Sequence, residues 1–302
     1  MNIIDKSIIK LLHQVDKFSH KGQNGKLLII GGSELFHGAS LWALKTASRI
    51  VDMVFYLSTD RNQEYANWLN KQLYDFINIR FEDLDDYIKE ADTVLLGSGM
   101  VRERIKNYKS KIINQAVNIS RDNFEDTKLV VETLLNRYPE KKWVLDAGAL
   151  QMMETNCLKK LSQVIITPHI REMCQLFKLK IKSEKLKMTD ENVKFWEEIT
   201  EKKAGKYSCT ILLKGSTDII CDSEKCALNK TGNEGMTKGG TGDVLAGLVA
   251  ALACKNDCFT ATAAGAFICG LSGDELYKKV GTFFNASDLC EQIPGTFHHL
   301  YK

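Results

Sequence analysis

Short apolar runs alternate with helical patterns along almost the entire chain, and this alternation constrains the fold more than any other feature. The runs lie at residues 26–30, 53–58, 77–80, 93–96, 143–145, 164–167 and 210–213. Helical patterns lie between them, for example at 39–50, 106–119 and 192–203. A strand that is apolar at nearly every position must be covered on both faces. The pattern therefore predicts an α/β fold with a mostly parallel sheet between two helical layers. Residues 219–221 and 226–228 flank Asp222-Ser223-Glu224 and read as a hairpin added to the sheet edge. Helices are expected again at 244–254, 260–279 and 287–292, the last capped by Asn285. There is no internal repeat and no Pro/Gly/Ser-rich linker, and only three prolines occur in 302 residues, so one domain spanning 1–302 is expected.

Composition excludes several function classes. The 41 basic and 38 acidic side chains nearly balance, which gives no reason to expect nucleic acid or an anionic membrane as a partner. The basic stretch 178–187 is diluted by leucine and isoleucine and reads as a solvated face. No apolar run approaches the ~20 residues that a membrane helix needs. Residues 1–16 carry Asp5, Lys6, Lys10 and His13 and lack the apolar centre of a signal peptide. The nine cysteines form no Cys-x-x-Cys and no zinc spacing, so free thiols in a reducing cytoplasm are expected.

Glycine is concentrated in one place: six of the 21 glycines fall within residues 229–250. There Gly239-Gly240-Thr241-Gly242-Asp243 runs directly into an apolar helix. Glycines let a ligand approach the backbone closely. The helix start adds unpaired N–H groups and the positive end of a dipole, which together suit a phosphate. A carboxylate at Asp243 is favoured as the anion there and could take a proton from a hydroxyl held beside that phosphate. A Gly-Asp pair alone would indicate no more than a helix cap; the length of the glycine run and the helix behind it suggest more. Two commoner phosphate motifs are absent. No Gly-Lys-Ser/Thr occurs for a Walker A loop, and Leu245 breaks the third position of a dinucleotide fingerprint.

The segment 229–247, Asn-x-Thr-Gly-Asn-x-Gly-Met-x-x-Gly-Gly-Thr-Gly-Asp-Val-Leu-Ala-Gly, resembles the signature of the ADP/ATP-dependent NAD(P)H-hydrate dehydratases of the ribokinase-like superfamily. Further pieces fall in that family's order. They are His20-Lys21-Gly22-x-x-Gly25, Leu27 to Ser33, Gly38-Ala39, Gly97-Ser98-Gly99-Met100, Asp146-Ala147-Gly148-Ala149-Leu150, Thr167-Pro168-His169-x-x-Glu172-Met173 and Leu213-Lys214-Gly215. The chain departs from the family pattern at a few positions. Ser98 replaces a proline, Gly148 replaces an aspartate, Ile170-Arg171 replace Pro-Gly, Asp218 stands where threonine is common, and residues 102–142 match nothing.

The resemblance implies a ribokinase-like three-layer α/β/α sandwich with a mostly parallel central sheet and an edge hairpin. It implies that Ala39, Gly99, His169 and Asp243 contact a hydrated nicotinamide nucleotide, with Asp243 as catalytic base. Lys214, Gly215, Ser216, Thr217, Asp218, Gly239, Gly240, Thr241 and Gly242 would hold ADP or ATP, and Glu172 would organise Mg2+. The implied reaction is nucleotide-dependent dehydration of NADH or NADPH hydrate through transient phosphorylation of the ring hydroxyl. A separate NAD(P)H-hydrate epimerase would act alongside, because the chain has no room for that frequent fusion partner, and a homo-oligomer is common in the family. One rival is a small-alcohol kinase of the same fold, acting on a hydroxyethylthiazole or hydroxymethylpyrimidine. A nucleotide sensor without catalysis is another. The long 229–247 string and the Thr-Pro-His-x-x-Glu box favour the dehydratase over the kinase, and the carboxylate at Asp243 argues against the sensor.

Overall fold

The computed structural model describes residues 2–69, 75–101 and 118–301. Ten strands form one sheet. In chain order they are β1 (Asn2–Ile3), β2 (Lys26–Ile30), β3 (Met53–Leu57), β4 (Ile77–Asn78), β5 (Thr93–Leu96), β6 (Lys142–Leu145), β7 (Gln163–Ile166), β8 (Thr210–Leu213), β9 (Asp218–Cys221) and β10 (Cys226–Asn229). Their spatial order is β1-β10-β9-β8-β7-β6-β5-β2-β3-β4. All pairs are parallel except β8–β9 and β9–β10. The hairpin expected near residue 222 is present at this end of the sheet, and β1 pairs in parallel along its outer strand. Two residues carry too little pattern for β1 to be read from sequence.

Alternate residues of each buried strand feed two separate cores. Leu28, Ile30, Val94, Leu96 and Leu145 face one side, while Leu27, Ile29, Leu95 and Val144 face the other. The helices are α1 (Gly38–Ala47), α2 (Asp60–Leu69), α3 (Leu84–Glu90), α4 (Thr127–Arg137), α5 (Gly148–Met152), α6 (Ile170–Leu176), α7 (Asp190–Tyr207), α8 (Thr241–Ala253), α9 (Cys258–Val280) and α10 (Ala286–Tyr301). Side chains of α3 to α7 cover the first face, and those of α1, α8, α9 and α10 cover the second. This is the expected three-layer sandwich. The helix expected at 106–119 falls almost wholly on residues 102–117, outside the described ones. Among the described residues no helix is long and apolar enough to cross a membrane.

One expectation is corrected. Cys221 and Cys226 are directly opposed in the β9–β10 register, with Cα atoms 4.2 Å apart, and form a disulfide. The other seven cysteines are free. A search for Cys-x-x-Cys overlooks this pair, because it is the hairpin register and not the linear spacing that brings the two sulfurs together.

Strand order also sets where a ligand can bind. From β2 the chain proceeds outward to β3 and β4, then returns to place β5 on the other side of β2. Such a reversal opens a crevice at the carboxyl ends of the parallel strands.

Candidate functional site

Asp243 lies in the first turn of α8, half-buried, at the lip of that crevice. The helix begins there because Gly240 adopts φ +97°, which a side chain would strain; a Cβ at Gly240 would also meet the Trp42 ring at 2.4 Å and Ala286 at 2.8 Å. Thr241 anchors the loop from behind. It is buried, and its hydroxyl is shared between the carbonyls of Met236 at 2.7 Å and Lys238 at 2.9 Å. Lys238 in turn donates to the carbonyls of Thr282 and Phe284, tying the glycine loop to the segment that follows α9. The loop is thus held from behind, and Gly239, Gly240, Gly242 and Asp243 line the opening at the start of α8.

Opposite the loop, the ends of adjacent strands converge on Asp146, which is 2% exposed. Its Oδ1 accepts from Lys214 Nζ at 3.0 Å and from Thr167 Oγ1 at 2.7 Å, and Ser98 Oγ lies 3.5 Å from Oδ2. Burial alone would pull the Lys214 ammonium below its ordinary value. Asp146, Glu172 and Asp243 more than offset this and hold it above. Ala147 has φ +45°, a sparsely populated conformation for a residue with a Cβ, and it lines the crevice. Gly99 takes φ +75°, and a Cβ there would meet the Phe36 carbonyl at 2.7 Å, so the loop after β5 can approach α1 closely only with glycine.

The crevice divides into two cavities. The larger, about 780 Å³, is lined by Ala39, Trp42, Gly99, Asp146, Ala147, His169, Glu172, Gly239, Gly240 and Asp243 among others. All four residues expected to contact the hydrated nicotinamide lie on it. The second, about 520 Å³, is lined by Gly215, Ser216, Asp218, Thr241, Leu245, Ala266, Cys269 and Gly270 among others. Among the described residues, Lys214 and Gly242 are common to both. Of the residues expected to hold a nucleotide, Gly239 and Gly240 lie on the first cavity, and Thr217 is buried and lines neither.

His169 and Glu172 form a reciprocal cap at the start of α6. The Glu172 amide donates to His169 Nδ1 at 3.2 Å, and the His169 amide donates to Glu172 Oε2 at 3.0 Å. Gln151 Nε2 donates to the remaining Oε1 at 2.9 Å. Burial, with Lys214 adding to it, draws the His169 pKa down against the opposing pull of Glu172, so the ring is favoured neutral with Nδ1 as acceptor. Glu172 is buried, and both of its oxygens already accept hydrogen bonds. Among the described residues no group of three or more His, Cys, Asp or Glu gathers to hold a metal. This donor set fits a helix cap better than a magnesium ligand, and the assignment of Mg2+ to Glu172 gains no support from it.

Two residues at the site were not singled out from sequence, and one noted departure gains a physical reason. Asp146 was noted only as part of a similar string; its burial and its three partners on neighbouring strand ends appear only in the fold. Trp42 donates from Nε1 to Ser287 Oγ at 3.1 Å and backs the glycine loop. Gly148 lies against the Met100 backbone, where a Cβ would come within 2.7 Å of a carbonyl oxygen, so the family's aspartate could not be accommodated there without a shift.

Comparison with known proteins fits this geometry. Residues 27–295 match the sequence profile of the family described as NAD(P)H-hydrate dehydratase. A bifunctional NAD(P)H-hydrate repair enzyme of Methanocaldococcus jannaschii is 35% identical over 291 residues, covering 95% of this chain and 50% of that protein. The chain thus spans about half the length of such bifunctional relatives. An ADP-dependent (S)-NAD(P)H-hydrate dehydratase of Nitrosopumilus maritimus is 33% identical over 282 residues, covering 91% of this chain and 89% of that protein. The crystal structure of an ADP/ATP-dependent NAD(P)H-hydrate dehydratase from Bacillus subtilis, co-crystallised with ATP/Mg2+, superposes with a TM-score of 0.74 at 21% identity, over 99% of this chain and 98% of that one. At that identity the likeness speaks for the fold alone. The profile match across most of the chain and the close match in length to the Nitrosopumilus protein carry the assignment: this chain belongs to the NAD(P)H-hydrate dehydratase family.

Proposed function

We propose that this protein restores hydrated NADH or NADPH to the reduced cofactor, using ADP or ATP to phosphorylate the ring hydroxyl. The observation that carries the reading is the pair of cavities meeting at Lys214 and Gly242, with Asp243 on the larger side of the junction. A dinucleotide substrate and a phosphoryl donor need separate pockets whose reacting ends meet. The names of the Nitrosopumilus and Bacillus relatives support both ligands.

In this scheme the hydrated nicotinamide occupies the larger cavity and the nucleotide the smaller. Asp243 takes the proton of the ring hydroxyl as its oxygen attacks the terminal phosphorus. The bond between that phosphorus and the nucleotide's bridging oxygen breaks, and its electron pair leaves with the shortened nucleotide. The amides of residues 239–242 and the Lys214 ammonium stabilise the charge on the transferring group. The ring nitrogen's lone pair then expels phosphate, carrying away the C–O electrons, and loss of a proton from the neighbouring carbon restores the reduced ring. A magnesium ion accompanying the nucleotide would neutralise phosphate charge; no step here is routed through Glu172. A kinase of the same fold would stop at the phosphorylated alcohol, and the family assignment does not favour it. We further infer that a separate epimerase supplies the reactive epimer, that the setting is cytoplasmic, and that assembly into a homo-oligomer follows the family habit.

The test follows absorbance at the reduced-nicotinamide band after mixing protein, hydrated cofactor and magnesium with ADP or ATP separately. Asp243→Asn should keep nucleotide binding and lose turnover by about 100-fold or more. Turnover within about threefold of the unaltered protein would remove Asp243 from the mechanism. A stable phosphorylated product would favour the kinase.

A further inference from the structure

We propose that Asp146 is a positioning residue for phosphoryl transfer, holding the Lys214 ammonium at the junction between the two cavities. This rests on the dehydratase reading above and extends it to a carboxylate that need not touch either ligand.

Four consecutive strands of the sheet, β5, β6, β7 and β8, deliver Ser98, Asp146, Thr167 and Lys214 at their carboxyl ends. The hydroxyls of Thr167 and Ser98 and the ammonium of Lys214 all converge on the one carboxylate. The hydroxyl on Oδ1 and the tight burial leave Asp146 little freedom to turn. A lysine ammonium sits on a flexible four-carbon stem and holds one position only when something fixes it. Here the fixing group is 3.0 Å away, and the Lys214 side chain retains 19% exposure. That remaining exposure opens onto both cavities, a position Lys214 shares with Gly242. A phosphoryl group passing from nucleotide to substrate must cross this junction. A cation already in place there stabilises the transferring charge without rearranging during the reaction. The charged or titratable groups around Lys214 are Asp146 at the end of β6, Glu172 and His169 at α6, Asp218 on β9 and Asp243 on α8. Glu172 is occupied by its cap and Asp218 by Gly215 and Asn229, while Asp146 accepts from the ammonium at 3.0 Å.

The experiment compares Asp146→Asn with the unaltered protein in steady-state turnover, and measures how fast Lys214 is modified by an amine-reactive reagent with no ligand present. Mass spectrometry reads the modification, with exposed Lys230 as internal control. We expect kcat to fall about 100-fold while KM for the nucleotide and for the hydrated cofactor each stay within about threefold. Lys214 modification should quicken by about fivefold or more, because an ammonium released from its carboxylate is freer and more easily deprotonated. An unchanged kcat would overturn the proposal, and so would a lower kcat with an unchanged Lys214 modification rate. If Asp146→Asn does not fold, Thr167→Val loosens the same carboxylate without removing its charge. It should lower kcat by about threefold to tenfold at constant KM and quicken the modification, and no change in either would equally overturn the proposal. Wild-type protein that consumes no hydrated cofactor with either nucleotide would sink the dehydratase reading instead, and the modification arm would then decide by itself whether Asp146 fixes Lys214.

Discussion

Asp218 is a carboxylate in a position where burial outweighs its partners. Its Oδ1 accepts from the Gly215 amide at 3.0 Å and its Oδ2 from Asn229 Nδ2 at 3.0 Å. Even so, burial pushes its pKa up from 3.8 to about 6. The fold therefore favours the protonated form. The stability this group contributes is fully present below its unfolded pKa near 3.8 and is lost as pH rises through about 6. A shift of this size amounts to at most about 3 kcal/mol. We expect the difference in stability between the unaltered protein and Asp218→Asn to move against the unaltered protein as pH rises from about 4.5 to about 7.5. Urea unfolding at a series of pH values measures it, and a difference that stays constant with pH would show that Asp218 does not titrate in this range. At this scale the site was partly legible. Asp243, Lys214 and His169 belong to local strings whose chemistry can be read in order along the chain. Asp146 could not be weighed in that way, because its three partners come from residues 98, 167 and 214.

The crossing of α1 and α8 carries the glycine loop at its end, so the distance between these helices sets the position of Asp243. At Gly247 a Cβ would lie 2.6 Å from the Ala43 Cα and carbonyl oxygen, which means the two backbones approach closely. Gly247→Ala should force the helices apart and cost about 1–3 kcal/mol. Gly205 lies in the last turn of α7, and a Cβ there would meet nothing within 4 Å. Gly205→Ala should stabilise by about 0.5–1 kcal/mol through helix propensity and a less flexible unfolded chain. Chemical denaturation of the pair tests both signs, and a neutral Gly247→Ala would mean the crossing can relax. Element positions were read well wherever apolar runs were continuous: β2, β5 and β8 begin and end where the runs do. The helices starting at α8 and α9 were likewise expected, with starts two or three residues later than observed. The expected run at 77–80 shortens to the two residues of β4, and the two-residue β1 is held by pairing with a neighbour, which local pattern does not record.

At the level of the whole molecule, one sheet separates two apolar cores and opens a divided crevice along its carboxyl edge. Ligands that bind only this assembled state must stabilise it by mass action. At a nucleotide concentration 100 times its Kd the gain is about 2.7 kcal/mol. For a chain of this size that corresponds to a rise in Tm of roughly 3–8 °C. We expect ADP or ATP with magnesium to raise Tm, and the nucleotide with the larger effect at equal concentration to be the preferred donor. Thermal scans with each would show this, and no rise with either at millimolar concentration would leave the smaller cavity without its proposed occupant.

The sequence by itself determined the layer architecture, because nearly continuous apolar strands have no stable state except burial on both faces. It also located the glycine loop at the start of α8, since a glycine run, a helix start and a carboxylate lie within five consecutive residues. Only the tertiary structure decided which residues share a cavity. Thr217 turns inward, Glu172 closes a helix, Cys221 meets Cys226, and Asp146 grips Lys214 from 68 residues away. The physical reason is that burial and hydrogen-bond partnership are set by strand order and register, which bring together side chains far apart along the chain.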